Sequence, residues 1–403
     1  MELFWLEHKK LWRKKIVKIC VLLCFVYCVI FGSILSFQWF CFGSSDDYTS
    51  AFGNNFDGYT VIKDSQEYAL SFGGELTDET LQKIVSDYQQ MEADGMGEEL
   101  EKTDWQIVNS WLGTLYPELR DTSNYKTMIS YVDPDKLTGF YERRQQVLDE
   151  FLEVSGQVGA EKEFLHQIER KVEKPFHYEW VEGWSTLLGS MVADLGVVMA
   201  LFLGIVLSSL FAGEWHDNTS TLVLTTRNGW GKIALAKILT GLAFTVELFA
   251  LLAVSSIISQ LFFMGTAGWD MPIQNIKLIA VAPMNMLQAE IYEYAFVLLG
   301  AIGFAGIVMF ISAAVKNNVL TLLLSLAVVY GPMMIAEYLP YEMQKALDLI
   351  PLVGSSTDIF RTNTFRIFGK LIWSPYLLIT IPVLIGILCM PFAIKSWSRR
   401  MKA

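Results

Sequence analysis

The sequence predicts an all-α polytopic membrane protein with six transmembrane helices, and three observations carry that prediction. First, 53 % of the 403 residues are hydrophobic and 18 % are charged. Such proportions occur in soluble domains too, so the distribution decides. Charge is crowded into the start of the chain, a block from about Asp46 to Glu182, a few short loops and the end. Between these lie runs of roughly 20 or more residues almost free of charge, the length that crosses a hydrocarbon core of about 30 Å. Second, nothing reads as the short alternating segments of a membrane β-barrel, and a lipid-embedded backbone must otherwise satisfy its polar groups as a helix. Third, lysine and arginine gather at alternate ends of the runs, which orients them.

The first run, 16–42, follows a basic start. At about 27 residues it exceeds a signal-peptide core, and no small-residue cleavage site closes it, so it reads as a retained span. The other spans are expected over 185–212, 233–264, 289–315, 318–338 and 374–394. Lys9, Lys10, Arg13, Lys14 and Lys15 precede the first and Lys18 lies at its start. Arg227, Lys232 and Lys237 accompany the polar insert 213–232, Lys316 the turn after the fourth span, and Lys395, Arg399, Arg400 and Lys402 the tail 395–403. Six spans put all four segments on one side, the cytoplasmic one, so both ends are expected inside. Residues 1–15 place Leu3, Phe4, Leu6, Leu11 and Trp12 among lysines, as a helix lying in the inner interface does.

Residues 43–183 hold 29 acidic and 12 basic residues and are long enough for one small domain outside the membrane. Its reading is mainly helical. Thr77 or Asp78 caps a helix with Leu81, Ile84, Val85 and Tyr88 at helical spacing. Asp133 with Pro134 opens a second helix, and Phe164, Leu165, Ile168 and Val172 share a face of a third. Trp105, Trp111, Tyr116, Tyr125, Phe140 and Tyr141 supply a modest core. The acidity suits either a solvated surface or capture of a cationic molecule. His166 and His177 have no cysteine or close third histidine to complete a zinc set, and no calcium-loop pattern occurs, so no metal is expected.

The five cysteines lie in or beside apolar runs, which argues against disulfides. Cys20, Cys24 and Cys28 share one helix face and read as packing residues. Two carboxylates, Asp194 in the second span and Glu247 near the middle of the third, are candidates for a substrate or ion path, because an intramembrane charge is costly. Glu290 and Glu293 suit the N-terminal end of the fourth span, and Gly300, Gly303 and Gly306 allow close helix packing.

No phosphate-binding loop, HExxH or GxSxG pattern occurs. Energy for any transport must then come from a partner. The stretch "LFAGEWHDNTSTLVLTTRNGWGKIALAKIL" resembles the junction between the second and third spans of ABC-2 type permeases, the membrane subunits of ABC exporters. In that family an acidic residue closes the second span, a threonine-bearing helix with leucines follows, and a small turn and a lysine open the third. Glu214, Thr219, Leu222, Leu224, Gly229 and Lys237 match. The resemblance implies a type V exporter-like architecture. It further implies that Asn218 to Thr226 forms a coupling helix docking on a cytoplasmic ABC ATPase dimer, which holds the ATP and magnesium, while this chain carries no cofactor and no catalytic site. Residues 339–373 resemble the half-inserted outer helices before the last span. The large domain after the first span is similar to that of permeases serving antimicrobial-peptide immunity or ion and drug efflux. A second permease, identical or different, completes the path for an amphipathic, peptide, drug or lipid-like substrate in a plasma or bacterial inner membrane, with no nucleic acid involved. Two other classes remain: a membrane sensor or anchor whose outer domain binds a ligand, and an ion-coupled secondary transporter using Asp194 and Glu247.

Overall fold

The computed structural model describes residues 2–30, 66, 73–95, 105–121, 123–124, 126–188, 192–216, 231–354 and 362–399. Among the described residues helices dominate, and five of them are long and apolar enough to cross a bilayer: Leu195–Trp215, Lys232–Met264, Met286–Ala314, Asn318–Tyr338 and Ser374–Ser398. The chain is a multi-pass membrane protein. The expected first span is described only through Ile30. α1 (Glu2–Arg13) precedes it, where the interfacial helix is expected, and after a break at Lys14 the span begins as α2 (Lys15–Val29). Cys20, Cys24 and Cys28 lie buried along one face of α2, the packing role their spacing suggested.

Beyond α2 the polar domain opens with β1 (Gly74–Leu76) and α3 (Asp78–Ala93). Thr77 caps α3 by accepting from Thr80 N at 3.2 Å. Asp78 caps a different helix: its carboxylate accepts from Gly139 N and Phe140 N at 2.7 and 2.9 Å, where α5 begins. Next come α4 (Trp105–Leu115), α5 (Phe140–Val154) and α6 (Ala160–Glu169). Asp133 and Pro134 do not start α5. They open one 3-10 turn, Pro134–Lys136, and the helix waits for Gly139, whose φ of 74° only glycine adopts easily. β2 (Phe176–Tyr178) returns antiparallel to β1, pairing Gly74 with Tyr178. Trp111, Tyr116, Phe140 and Phe176 fill the core with Leu81, Ile84 and Val85, in edge-on ring contacts such as Trp111 to Tyr178 at 5.4 Å.

The domain does not end at residue 183. After the short α7 (Glu182–Thr186), the core continues into the connection between the next two long helices, through Met271, Ile273, Val281 and Met286. Trp111 Nε1 donates to Asn275 O at 2.8 Å. The buried Arg144 guanidinium donates to Leu278 O at 2.7 Å, Ala280 O at 3.2 Å and Glu169 Oε1 at 2.6 Å. Lys174 adds a second cation to Glu169 at 2.9 Å. Residues 265–289 therefore belong to the domain, which sequence boundaries at 183 and 289 had left out.

The bundle is built from α8 (Val192–His216), α9 (Lys232–Met264), α10 (Met286–Ala314), α11 (Asn318–Ile335) and α13 (Ser374–Arg399). Asn285 and Gln288 form a capping box on α10. α10 is central, lying against α8 and most intimately against α13. A Cβ on Gly303 would fall 2.3 Å from Pro382 O, and one on Gly386 2.6 Å from Gly303 Cα. Backbone meets backbone there, the packing use of small residues in membranes.

Between α11 and α13 the expected half-inserted helices are replaced in part by other structure. α12 (Tyr341–Leu347) is a two-turn helix, but β3 (Thr364–Ile367) and β4 (Lys370–Trp373) form a hairpin. Its turn residues Phe368 and Gly369 have φ of 49° and 80°, the positive pair that a two-residue hairpin of matching twist needs. The hairpin docks on the domain through Arg366 with Glu161, and Thr364 Oγ1 donating to Gln157 Oε1 at 2.8 Å.

Candidate functional site

At the end of the bundle away from the domain, α8 finishes and α9 starts. Glu214 sits in the last turn of α8 and Lys237 in the second turn of α9, side chains 4 % and 2 % exposed. Lys237 Nζ donates to Glu214 Oε1 at 2.8 Å and to Glu7 Oε2 of α1 at 2.8 Å. Lys10 of α1 donates to the same Glu214 oxygen at 2.5 Å, and Lys14 to Ser209 Oγ at 3.0 Å. Two carboxylates and two ammonium groups thus neutralise one another. That balance is what permits burial, because an isolated charge there costs several kcal/mol. The recess beside them, about 20 Å³, holds about one water and nothing larger. The network is a clamp between helices rather than a ligand pocket.

α1 is held to α9 along its length. Trp12 meets Phe244 edge-on at 5.8 Å and donates through Nε1 to Glu247 Oε2 at 3.0 Å. His8 Nε2 lies 3.1 Å from Glu247 Oε1. Glu247, placed by its sequence position near mid-span, is thus a partner of the N-terminal helix. Glu247 stands at the middle of the 33-residue α9, and α1 reaches that far along it.

The clamp reaches the other helices through a buried hydroxyl and a set of ring contacts. Ser312 Oγ on α10 donates to Ser208 O at 2.7 Å and accepts from Phe211 N and Ala212 N at 3.1 Å each. One hydroxyl thereby ties α10 into the backbone of α8 just before Glu214. Lys316 Nζ lies 4.4 Å over the Trp215 ring, and Trp215 and Phe211 both contact Trp397 of α13.

Of the residues singled out in the sequence, Glu214 and Lys237 are brought together, with Glu247 on the same helix and bound to the same α1. Asp194 is the third residue of α8, and its side chain lies outside the described residues. Asn218, Thr219, Leu222, Leu224 and Thr226 also lie outside them. Sequence reasoning missed Glu7, His8, Lys10 and Ser312. For the first three the signal was present: a charged face on an amphipathic helix beside a span that ends in an acid. Ser312 offered none, because serine on an apolar helix usually bonds its own backbone. No family model, curated protein or solved structure matches the chain.

Proposed function

We propose that this chain is the permease subunit of an ATP-driven ABC exporter, with Asn218 to Thr226, in the polar stretch between α8 and α9, as the element that docks on the ATPase. The observation that carries the reading is the Glu214–Lys237 pair. It locks the two helices flanking that polar stretch to each other and, through Glu7 and Lys10, to α1. A short element held between two clamped helices moves them as one rigid lever when a partner pushes on it. An unclamped loop absorbs the push.

In this reading both ends of the chain and the clamp face the cytoplasm, the polar domain faces outward, and 16–42 completes six spans in a plasma or bacterial inner membrane. The partner ATPase dimer supplies ATP and magnesium. A second permease, identical or not, supplies the other wall of the path, and the substrate class is amphipathic: a peptide, a drug or a lipid. The test is co-purification with a candidate ABC ATPase. Leu222→Asp is expected to abolish the complex, and Glu214→Gln to leave it assembled with stimulated ATP hydrolysis reduced. Unchanged assembly and hydrolysis in both variants would falsify the reading.

A further inference from the structure

Near the domain end of the bundle, α9 and α10 bury polar groups that the clamp does not use. The two helices run antiparallel with a register fixed by two contacts. A Cβ on Gly241 would meet Met309 Sδ at 2.5 Å, and Ser256 Oγ lies 2.8 Å from Tyr294 OH. Four residues further along α9 and four back along α10, one turn nearer the domain, Gln260 faces Glu290. Gln260 continues the buried stripe of Thr245, Leu248, Leu252 and Ser256. Gln260 is 0 % exposed and Glu290 3 %. Neither Nε2 nor Oε1 of Gln260 has a hydrogen-bond partner among the described residues. A buried amide with both ends open is costly, and the register sets it opposite Glu290, a carboxylate with no cation paired to it among the described residues. Glu293, one turn on from Glu290, is buried as well, and Cys28 of α2 approaches Ser255 and Tyr294. Trp180 Nε1 and Trp184 Nε1 of the domain donate to Met264 O and Thr266 O just above, at 3.0 and 3.1 Å.

We infer that Glu290, Gln260, Ser256 and Tyr294 form a binding site for a monovalent cation, supplied as a free alkali ion or as the primary ammonium group of an amphiphile. A carboxylate, an amide carbonyl and two hydroxyls are hard oxygen ligands, suited to such a charge and poor for soft metals. Among the described residues no group of three or more His, Cys, Asp or Glu gathers to hold a metal ion, which favours a single positive charge over a divalent ion. On binding, Gln260 Oε1 turns to the cation and Nε2 to the Glu290 carboxylate, closing both open ends at once. The inference concerns binding alone, needs no ATPase, and stands or falls separately from the exporter reading.

The test uses the full chain in lipid nanodiscs, with thermal unfolding followed by tryptophan fluorescence at constant ionic strength. Sodium, potassium and choline chloride are compared, and n-octylamine is compared with n-octanol. Choline carries its charge on a quaternary nitrogen with no N–H to donate, so it serves as the blank. The expected result is a saturable rise of the midpoint with sodium or potassium over choline, or with the amine over the alcohol. Alkali response alone assigns a free ion, and amine response alone assigns an ammonium head group. Glu290→Gln keeps the shape and removes the charge, and it is expected to weaken the apparent affinity at least about ten-fold. Gln260→Leu does the same by removing the amide ligand, and it carries the test if the first variant does not fold. Identical midpoints in all three salts and with amine and alcohol overturn the inference, as does a cation response that survives both substitutions.

Discussion

Lys237 and Glu214 stand 23 residues apart in the chain and 2.8 Å apart in space, with Glu7 completing the approach from α1 at 2.8 Å. The lysine is shared by two carboxylates, so removing it does more than delete one contact. Lys237→Met leaves the half-buried Glu7 without its cation and the buried Glu214 with Lys10 alone, and a loss of up to about 3–5 kcal/mol is expected from breaking such a network. Thermal unfolding measures it. Adding Glu7→Gln to Lys237→Met should recover part of the loss, because the stranded carboxylate goes with the lysine while Lys10 still neutralises Glu214. Failure of the double variant to recover any stability shows that packing, not charge, holds this end together.

Arg144 fastens the domain to the connection between α9 and α10. It is fully buried, and its carbonyl acceptors belong to Leu278 and Ala280. Arg144→Met removes the cation from Glu169 and three donated hydrogen bonds, and should cost about 3–5 kcal/mol. Limited proteolysis within 265–285 should accelerate in step, and an unchanged cleavage rate counts against the staple.

The same pair gives a pH dependence of known sign. Burial pushes the Glu169 carboxyl up, but hydrogen bonds from Arg144 and Lys174 outweigh it and hold the group below its ordinary value of 4.5. The unfolded chain then binds the proton more readily than the folded one. The contribution to stability is full above about pH 4.5 and declines as pH falls through the lowered folded value. Glu169→Gln should flatten the acid side of the stability curve while lowering its plateau. An equally steep acid limb in that variant assigns the slope to other carboxylates.

Gly303 and Gly386 admit no side chain. Gly303→Val or Gly386→Val drives a branched group into the facing backbone and should cost more than the about 1–3 kcal/mol of ordinary overpacking. The helix pair then separates, read as loss of monodisperse protein on size exclusion. Gly196 of α8 is the control: a Cβ there meets nothing within 4 Å. Gly196→Ala should be neutral or stabilising by up to about 1 kcal/mol through helix propensity.

Much of this architecture can be read from residue order, and the reasons differ by element. The apolar runs locate α8 to α11 and α13 because a bilayer imposes a length that composition reveals directly. α3 is legible because Leu81, Ile84, Val85 and Tyr88 mark one face, and all four are buried. The hairpin 364–373 is less so. Its cue is the Phe368–Gly369 turn between short alternating segments, easily lost beside a long helix. The contribution of 265–289 to the domain core has no local signature, because it depends on Trp111 and Arg144 finding carbonyls more than a hundred residues away. At the clamp, Glu214 and Lys237 are marked by charge at the ends of apolar runs. Their pairing with Glu7 and Lys10 joins segments over two hundred residues apart, which no periodicity encodes.

The late arrival of 265–289 sets a timetable for biosynthesis. Trp111 and Arg144 leave the ribosome 164 and 134 residues ahead of their partners Asn275 and Leu278. At about 5–20 residues per second that is a wait on the order of ten seconds. Through it the domain has an open flank, and α8 and α9 must be threaded into the membrane before the missing piece is delivered. Its completion is therefore a report that two helices have been inserted, and an excised 73–188 fragment, lacking that delivery, should never close its core.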